Sequence, residues 1–303
     1  MTTVAVTRPT TSPFRPESPC TAACIDARGP RAGWPTRAAR IVALFIVLAL
    51  TAAGAALVRL VPGVTRRHHA ASLAMRSAAR AMLAVLGVDF QGPVRLPDRR
   101  TLVVANHISW LDIVALLASD TTGRLRLVAK VEVATWPVIG PLATAIGTIF
   151  IDRTRPLTLR DTVADVRHAL AGGDVVVVFA EGTTCCGVHR APYRPAMFQA
   201  ALDASARVVP LAIRYANEQG ETVTEPAFIG DETLVTSIRR LVGRRATRVH
   251  LRVGPALAPQ PGAGRRRVAR VADRVTAREL RGTPVLKLPR PATTAPSLTP
   301  ASV

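Results

Sequence analysis

A histidine and an aspartate stand five residues apart in the run NHISWLD, as His107 and Asp112. The run begins where a short apolar segment, 102–105, gives way to a helical pattern, which predicts a strand–helix junction. On an ideal helix the two side chains would point ~140° apart, so they meet only if His107 folds back over the first turn. A carboxylate that accepts Nδ1–H would leave Nε2 free to take a proton from a substrate hydroxyl. The spacing therefore indicates a candidate general base oriented by a carboxylate.

The same residues also permit an interpretation without chemistry. Asn106 is a favourable N-cap residue and places His107 at the start of the predicted helix. Asp112 in the first turn would then serve the helix dipole, and His107 would be a surface side chain. Only further polar residues at equivalent positions would favour the catalytic interpretation.

Such residues follow two more predicted strands. Asp152 and Arg153 come directly after the strand predicted over 148–151, and Glu181 follows the one predicted over 175–179. Because the carboxyl ends of strands form the ligand crevice of open α/β sheets, we expect these side chains near His107. A further apolar run contains Pro210, which requires an edge strand or a bulge.

The elements that must position these residues alternate along the chain. Short β-branched runs, separated by helical patterns, predict an α/β domain with a largely buried sheet over 93–258. The candidate strands are 102–105, 125–129, 148–151, 175–179, 208–214 and 249–253, and the candidate helices are 110–118, 157–171, 196–204 and 233–242.

A membrane anchor is predicted before this domain, over 37–92. The segment Ile41–Val58 carries no charged residue and would measure about 27 Å as a helix, close to the hydrocarbon thickness of a bilayer. A buried core helix and a secretory signal are the rivals, but the segment is apolar all round and its leader is too long for a signal. The stretch 70–86 mixes arginines with leucines at helical spacing and predicts a second, interfacial helix. Whether 41–58 spans the bilayer or enters one leaflet is left open.

Composition places the chain at an anionic surface. Its 303 residues hold 40 basic and 20 acidic side chains, a formal charge of +20, while 49% are hydrophobic. Apolar content of this size excludes a wholly disordered polycation. With only 4% aromatic residues, a base-stacking surface for nucleic acid is disfavoured, and anionic membrane lipids are the expected partner.

The two ends of the chain have the composition of tails. Residues 1–36 predict a disordered basic tail, and 259–303 a basic Pro/Arg-rich tail with one helical stretch near 265–281. Cys20 and Cys24 lie in the first tail without a second pair at metal-ligand spacing, so they are interpreted as incidental thiols, and no metal site is predicted.

Four blocks, in this order, resemble the 1-acylglycerol-3-phosphate acyltransferases and the wider glycerolipid acyltransferase group. The first is a histidine, four residues and an aspartate, here His107 and Asp112. The remaining three are listed here as they stand in this chain: Phe150, Asp152 and Arg153 in the second, FAEGT at 179–183 in the third, and Pro210 in the fourth. Ala180 replaces the proline that the family has in its third block. The resemblance covers roughly 85–255.

The resemblance implies a fold, an activity and a set of site residues. The fold is a mixed, mostly parallel sheet flanked by helices, and the activity is transfer of a fatty acyl group to the sn-2 hydroxyl of 1-acylglycerol 3-phosphate. The donor would be acyl-CoA or acyl carrier protein, with no cofactor and no covalent intermediate, so Cys185 and Cys186 are interpreted as structural or incidental. The family's cell-membrane location, with the catalytic domain facing the cytoplasm, is also expected.

Within that reaction His107 would be the general base and Asp112 its orienter. Arg153, with Lys130 as a second charge, would hold the acceptor phosphate, because a guanidinium pairs with phosphate oxygens; an ion pair with Asp152 or Glu181 is the alternative. Gly182 and Thr183 would donate hydrogen bonds to the acceptor or the oxyanion. The full set of predicted substrate-binding residues is Lys130, Phe150, Asp152, Arg153, Glu181, Gly182, Thr183 and Pro210.

Three alternative functions remain compatible with the sequence. A lyso-ornithine lipid or glycerol 3-phosphate would be an acceptor for the same chemistry. A non-catalytic basic protein that binds membranes or nucleic acid belongs to another class, in which the His107–Asp112 pair would have no purpose.

Overall fold

The computed structural model describes residues 17–58, 60–90, 99–136, 139–152, 154–260 and 262–281. The strands are β1 (Val88–Phe90), β2 (Thr101–Ala105), β3 (Leu125–Lys130), β4 (Ile149–Ile151), β5 (Val175–Phe179), β6 (Arg207–Ala216) and β7 (Thr247–Val253). The helices are α1 (Trp34–Val58), α2 (Val64–Val85), α3 (Trp110–Ser119), α4 (Ile139–Ala145), α5 (Leu159–Ala171), α6 (Ala196–Asp203), α7 (Leu234–Val242) and α8 (Arg265–Arg281). Arg153 and the outer parts of both predicted tails, 1–16 and 282–303, lie outside the described residues.

The strands form a single mixed sheet in the order β1-β7-β6-β2-β5-β3-β4. All neighbouring strands run parallel except β6 and β7, which are antiparallel. The prediction of a mixed, mostly parallel sheet is confirmed. The carboxyl ends of β2, β5, β3 and β4 therefore meet at one edge, where the predicted site residues follow them.

Helices cover both faces of the sheet, which explains why the central strands read as continuous apolar runs. On one face alternate strand residues such as Val103 and Val177 pack with α2, α3 and α7. On the other face Leu102 and Val176 pack with α5, α6 and α8. Burial on both faces holds β2 and β5 rigidly, and the site residues that follow them inherit that rigidity.

The ordered unit extends beyond the predicted bounds of 93–258. β1 begins at Val88 and joins the sheet through β7, and α8 buries Val268 and Ala272 in the core. The predicted helix near 265–281 is thus part of the domain and not of a tail, because its small and branched residues form one apolar face.

The segment 17–33, expected to be disordered, also has a defined course. Its Ala32 N–H donates to the Gly243 carbonyl at 2.9 Å and Arg245 N–H donates to the Pro30 carbonyl at 3.0 Å. Cys20 is 5% exposed and belongs to the core. The composition of this segment does not predict its ordered course, because backbone hydrogen bonds to a distant turn leave no periodic pattern in the sequence.

The two-helix anchor is not confirmed. In the described part of the chain, α1 is the one helix long and apolar enough to cross a membrane, and only 6% of its apolar window is buried. The predicted interfacial helix is α2, and it packs on α3, with Leu83 buried in the core. Arg80 of α2 donates to the Ala118 carbonyl at 3.2 Å. Leu83 of α2 thus serves the domain, whereas Leu73 of the same helix is 62% exposed. α1 exposes more large apolar side chains and is the main membrane-facing candidate.

Pro210 lies inside β6, which has neighbours on both sides. On the β7 side, pairing passes from Leu211 opposite Val253 to Val208 opposite Leu257, so the opposing chain has one residue more. That bulge accommodates a residue without an N–H. Pro210 is buried beside Val104 within the sheet, and its predicted contact with substrate stays a prediction.

Candidate active site

His107 and Asp112 are in direct contact. Nδ1 of His107 lies 2.8 Å from Oδ2 of Asp112, although five residues separate them in sequence. The contact forms because His107 precedes α3 and its ring turns back over the first turn, as the spacing requires. The His107 side chain is 19% exposed and the Asp112 side chain 0%. A buried carboxylate facing Nδ1 directs Nε2 toward the solvent-accessible side of the ring.

The Asp112 carboxylate is held by four donors. Oδ2 accepts the backbone N–H groups of Ile108 at 2.6 Å and Ser109 at 2.9 Å in addition to His107, and Oδ1 accepts the Tyr215 hydroxyl at 2.7 Å. A carboxylate with this many donors is satisfied as an anion without solvent. Tyr215 was not foreseen from the sequence, because it comes from β6, more than a hundred residues later.

The N-cap of α3 is Ser109, not Asn106 as expected. Ser109 and Asp112 form a capping box, each accepting a backbone N–H of the other. The Asn106 amide instead bridges to β6, donating to the Ile213 carbonyl at 2.9 Å and accepting the Ile213 N–H at 2.8 Å. The side chains of Asn106 and Ser109 thus fix the backbone before and after His107.

The His107 ring and backbone are fixed by the loop that follows β5. The ring stacks on Phe179, with centroids 3.8 Å apart and planes 13° from parallel. The His107 N–H donates to Oε2 of Glu181 at 3.2 Å, and the His107 carbonyl accepts the Cys185 N–H at 2.8 Å. The first and third sequence blocks thus build one site, which the predicted sheet edge required.

Glu181 is buried and pairs with Arg190, which the sequence reasoning overlooked. Arg190 Nε lies 3.2 Å from Glu181 Oε1, and its Nη2 lies 2.8 Å from Asp273 Oδ1 in α8. Burial raises the pKa of Glu181 to about 7, against the opposing effects of the His107 N–H and Arg190. The Glu181 side chain is 0% exposed and contacts the His107 backbone, so its predicted contact with substrate stays a prediction. The sequence offers one sign of this pair. Glu181 directly follows a strongly apolar strand, and a carboxylate buried there needs a cation such as Arg190 from the same loop.

The turn after Glu181 contains Gly182 and Thr183. Gly182 has φ 75°, a conformation that glycine adopts without strain, and its N–H donates to the Phe179 carbonyl at 3.0 Å. This N–H therefore bonds within the turn, and a role of Gly182 toward a substrate stays a prediction. Thr183 is half-buried at the turn and stays a predicted donor.

Lys130 and Asp152 lie on the far side of the same edge, whereas Phe150 of β4 lines a cavity at the amino ends of the strands. Lys130 ends β3 opposite Ile151 of β4, and the strand order places β4 about 14 Å from β2 at the usual spacing. Asp152 accepts the Thr154 N–H at 2.8 Å and lies 3.6 Å from Arg155 Nε. The structure brings His107, Asp112 and Glu181 together. Lys130 and Asp152 lie apart from them, at the other end of the same sheet edge.

The sheet opens between the two groups. β3 pairs with β5 only over Leu125–Leu127 and then pairs with β4 over Val128–Lys130. The second half of β3 thus no longer pairs with β5 beside Phe179, so the sheet is open at its carboxyl edge next to His107. A separate cavity of about 820 Å³ is lined by residues such as Arg124, Gly147 and Asp174, and it lies at the opposite, amino end of these strands.

A second cluster joins residues interpreted as incidental. The Sγ atoms of Cys20, Cys24 and Cys186 and a ring nitrogen of His189 all lie within 4.8 Å of one another. The sequence reasoning looked for a second cysteine pair and overlooked a Cys–His pair. Cys185 stands outside the cluster, and burial raises the pKa of its thiol to about 12, which makes it a poor nucleophile.

The sequence matches the Acyltransferase family over residues 87–214, from the residue before β1 into β6. It is 33% identical over 183 residues to the 1-acyl-sn-glycerol-3-phosphate acyltransferase of Neisseria gonorrhoeae, which is 60% of this chain and 70% of that protein. It is 32% identical over 184 residues to the lyso-ornithine lipid O-acyltransferase of Brucella abortus, 57% of this chain and 68% of that protein.

A solved structure shares the fold. The crystal structure of the 1-acyl-sn-glycerophosphate acyltransferase of Thermotoga maritima superposes with a TM-score of 0.60 at 14% identity, covering 80% of this chain and 95% of that one. The ordered sequence blocks, the strand–helix junction that joins His107 to Asp112, and the extent of these matches lead to one conclusion. The chain belongs to the acyltransferase family that includes the 1-acylglycerol-3-phosphate acyltransferases.

Proposed function

We propose that this acyltransferase moves a fatty acyl group from acyl-CoA or acyl carrier protein to the sn-2 hydroxyl of 1-acylglycerol 3-phosphate, giving phosphatidic acid. The observation that carries the chemistry is the 2.8 Å contact between a partly exposed His107 and a fully buried Asp112. This is the base-and-orienter arrangement of a Ser-His-Asp triad, in which the acceptor's hydroxyl takes the place of the serine.

Transfer is direct in this mechanism. Nε2 of His107 accepts the proton of the sn-2 hydroxyl as its oxygen attacks the thioester carbonyl, and the buried Asp112 carboxylate stabilises the imidazolium that forms. The tetrahedral intermediate then expels the thiolate, which takes the proton back from His107. Products are the new ester and the free thiol, and His107 returns to its starting state. A positioned base contributes ~10²–10⁴-fold to such a step.

The acceptor phosphate is assigned to the far side of the crevice. In the sequence Arg153 comes two residues after the end of β4, and Lys130 ends β3, the strand whose second half no longer pairs with β5. A phosphate held there would leave the acceptor to reach His107 across the opening. Asp152 flanks this region, while Glu181 acts on His107 and not on the acceptor.

A lyso-ornithine lipid is the second candidate acceptor. The Brucella abortus relative carries that activity in its name at almost the same identity as the Neisseria protein. Such an acceptor has no phosphate, so it would not need the proposed hydrogen bonds from Arg153 to phosphate oxygens. Glycerol 3-phosphate is a third candidate for the same chemistry.

The membrane is the proposed location, with the catalytic domain on the cytoplasmic side, where thioester donors are made. α1 supports this assignment, because it exposes large apolar side chains such as Phe45, 68% exposed, and Leu50, 66% exposed. The net charge of +20 would draw the domain to anionic lipids.

The experiment is an acyl-transfer assay on isolated membranes. Labelled oleoyl-CoA is offered with lysophosphatidic acid, lyso-ornithine lipid or glycerol 3-phosphate in parallel, and His107→Ala serves as the blank. The exposed His168→Ala, at the opposite end of the sheet, controls for loss of a histidine. We expect phosphatidic acid from the wild type and from His168→Ala only. Turnover by His107→Ala would refute the base, and product from the aminolipid alone would refute the phosphate grip.

A further inference from the structure

We propose that Cys20, Cys24, Cys186 and His189 bind a structural zinc ion. Their ligand atoms lie within 4.8 Å of one another, and Cys186 Sγ is 3.4 Å from Nδ1 of His189. In a tetrahedral zinc site with thiolate and imidazole ligands, neighbouring ligand atoms are about 3.5–3.8 Å apart. The cluster therefore needs only small side-chain adjustments to close around the ion.

The ligands come in two short chelating pairs. Cys20 precedes the tight turn Ala22–Cys24 and Cys24 ends it, while Cys186 and His189 lie in one loop after β5. Pairs separated by two or three residues, contributed by two distant segments, are the usual arrangement of structural zinc sites with three cysteines and a histidine. In the sequence only the Cys20–Cys24 pair stands at a recognisable spacing, because the second pair, which begins 162 residues after Cys24, joins a cysteine to a histidine.

The surrounding backbone is arranged to support thiolates. The Cys186 N–H donates to Sγ of Cys20 at 3.2 Å, and the His189 N–H donates to Sγ of Cys186 at 3.3 Å. Backbone donors directed at sulfur stabilise the anionic, metal-binding form and orient it, the contribution expected of groups behind the ligands.

The donor set selects the metal and the role. Three thiolates and an imidazole favour zinc over the hard cations magnesium and calcium, which take oxygen ligands. Four protein ligands complete the tetrahedron and leave no position for a substrate, which is typical of a structural and not a catalytic zinc. A disulfide between two of the cysteines is the competing fate, and it would leave the third thiol and His189 without a purpose.

The site would fasten the segment 17–33 to the loop that holds His107. That loop supplies the Glu181 carboxylate and the Cys185 N–H, which hold the two backbone ends of His107. Ser18 already joins the same segments, because its hydroxyl donates to the Thr184 carbonyl at 2.6 Å. Zinc would add a far stronger link at the same junction, since metal binding contributes directly to folding.

The test is the metal content of the full chain, purified in detergent under reducing conditions without chelator. Elemental mass spectrometry should find about one zinc per chain in a closed four-ligand site. Replacing zinc with Co²⁺ should give the visible absorption of tetrahedral cobalt together with thiolate-to-cobalt charge transfer.

His189→Ala is the main variant, because His189 is exposed and its loss leaves the core intact. Cys24→Ser is the second, and Cys185→Ala is the matched control, a neighbouring thiol outside the cluster. Both ligand variants should weaken zinc retention at least ~10-fold while circular dichroism shows a folded chain, and Cys185→Ala should retain zinc as the wild type does.

Three results would overturn the proposal. They are a reduced wild-type chain that neither contains zinc nor binds Co²⁺, a native disulfide among the three cysteines, and equal zinc retention by His189→Ala and Cys185→Ala. Metal content is measured without turnover, so the outcome does not depend on which acceptor the enzyme uses.

Discussion

The Tyr215 hydroxyl donates to Oδ1 of Asp112 at 2.7 Å, while Oδ2 of the same carboxylate faces His107 at 2.8 Å. Tyr215 is fully buried in β6. Burial, together with the Asp112 charge, raises the pKa of Tyr215 well above its ordinary value, so the phenol remains a donor at every working pH. The carboxylate is thus fixed from both sides, and its charge is held in place for the imidazolium.

Tyr215→Phe should lower kcat and leave KM for both substrates unchanged. Tyr215 is too deeply buried to touch either substrate, so its loss acts only through Asp112. A hydrogen bond to a charged group contributes about 1.5–3 kcal/mol, so we expect kcat to fall ~10–100-fold. Steady-state kinetics with varied donor and acceptor provide the measurement.

Tyr193→Phe is the control for loss of a buried phenol. Its hydroxyl donates to Thr276 of α8 at 2.9 Å and does not contact Asp112. This variant should lose stability but keep kcat. If Tyr215→Phe behaves in the same way, Tyr215 has a purely structural role and the support of Asp112 is refuted.

The outline of this site could be predicted from the sequence, while its support could not. The His107–Asp112 contact follows from spacing at a strand–helix junction, and the sheet edge follows from alternating patterns. Tyr215 and Arg190 escaped prediction because their contacts depend on strand order and loop path, which no local pattern encodes. The N-cap at Ser109 does have a local signal, because a serine followed three residues later by an acidic residue is typical of a capping box.

Glu181→Gln should change the pH dependence of stability. Burial raises the pKa of Glu181 from 4.5 to about 7, so between these values the folded chain keeps a proton that the unfolded chain has lost. The free energy of unfolding contributed by Glu181 therefore falls as the pH rises through this window and stays low above it. Glutamine cannot titrate and removes this dependence.

The measurement is denaturant unfolding of both proteins in detergent across this pH range. The free energy of unfolding of the wild type minus that of Glu181→Gln should decrease from pH 4.5 to about 7. A difference that rises or stays flat would mean that Arg190 keeps Glu181 ionised throughout, and that burial is not the dominant influence.

Arg153→Ala should raise KM for a phosphate-bearing acceptor much more than KM for the thioester. A guanidinium that pairs with phosphate oxygens contributes about 1.5–3 kcal/mol, so a ~10–100-fold rise is expected. Kinetics with lysophosphatidic acid and oleoyl-CoA, each varied in turn, separate the two constants.

Arg155→Ala removes the same charge two residues later. Arg155 is 78% exposed and pairs with Asp152 at 3.6 Å, so its loss should alter both constants only slightly. Equal effects of the two variants on the acceptor would identify a general electrostatic attraction and remove the specific phosphate grip from Arg153.

Phe45→Asp combined with Leu50→Asp should release the protein from membranes. Both side chains face outward from α1, and a charge at the centre of a membrane helix costs about 2.5–3.5 kcal/mol per residue. Fractionation of cells at high salt tests this, because salt removes attachment by the basic surface.

Val235→Asp, an exposed apolar residue in the first turn of α7, is the matched control. The wild type and the control should sediment with membranes, and the double variant should appear in the soluble fraction. Sedimentation of the double variant would refute α1 as the anchor and transfer that role to another surface of the domain.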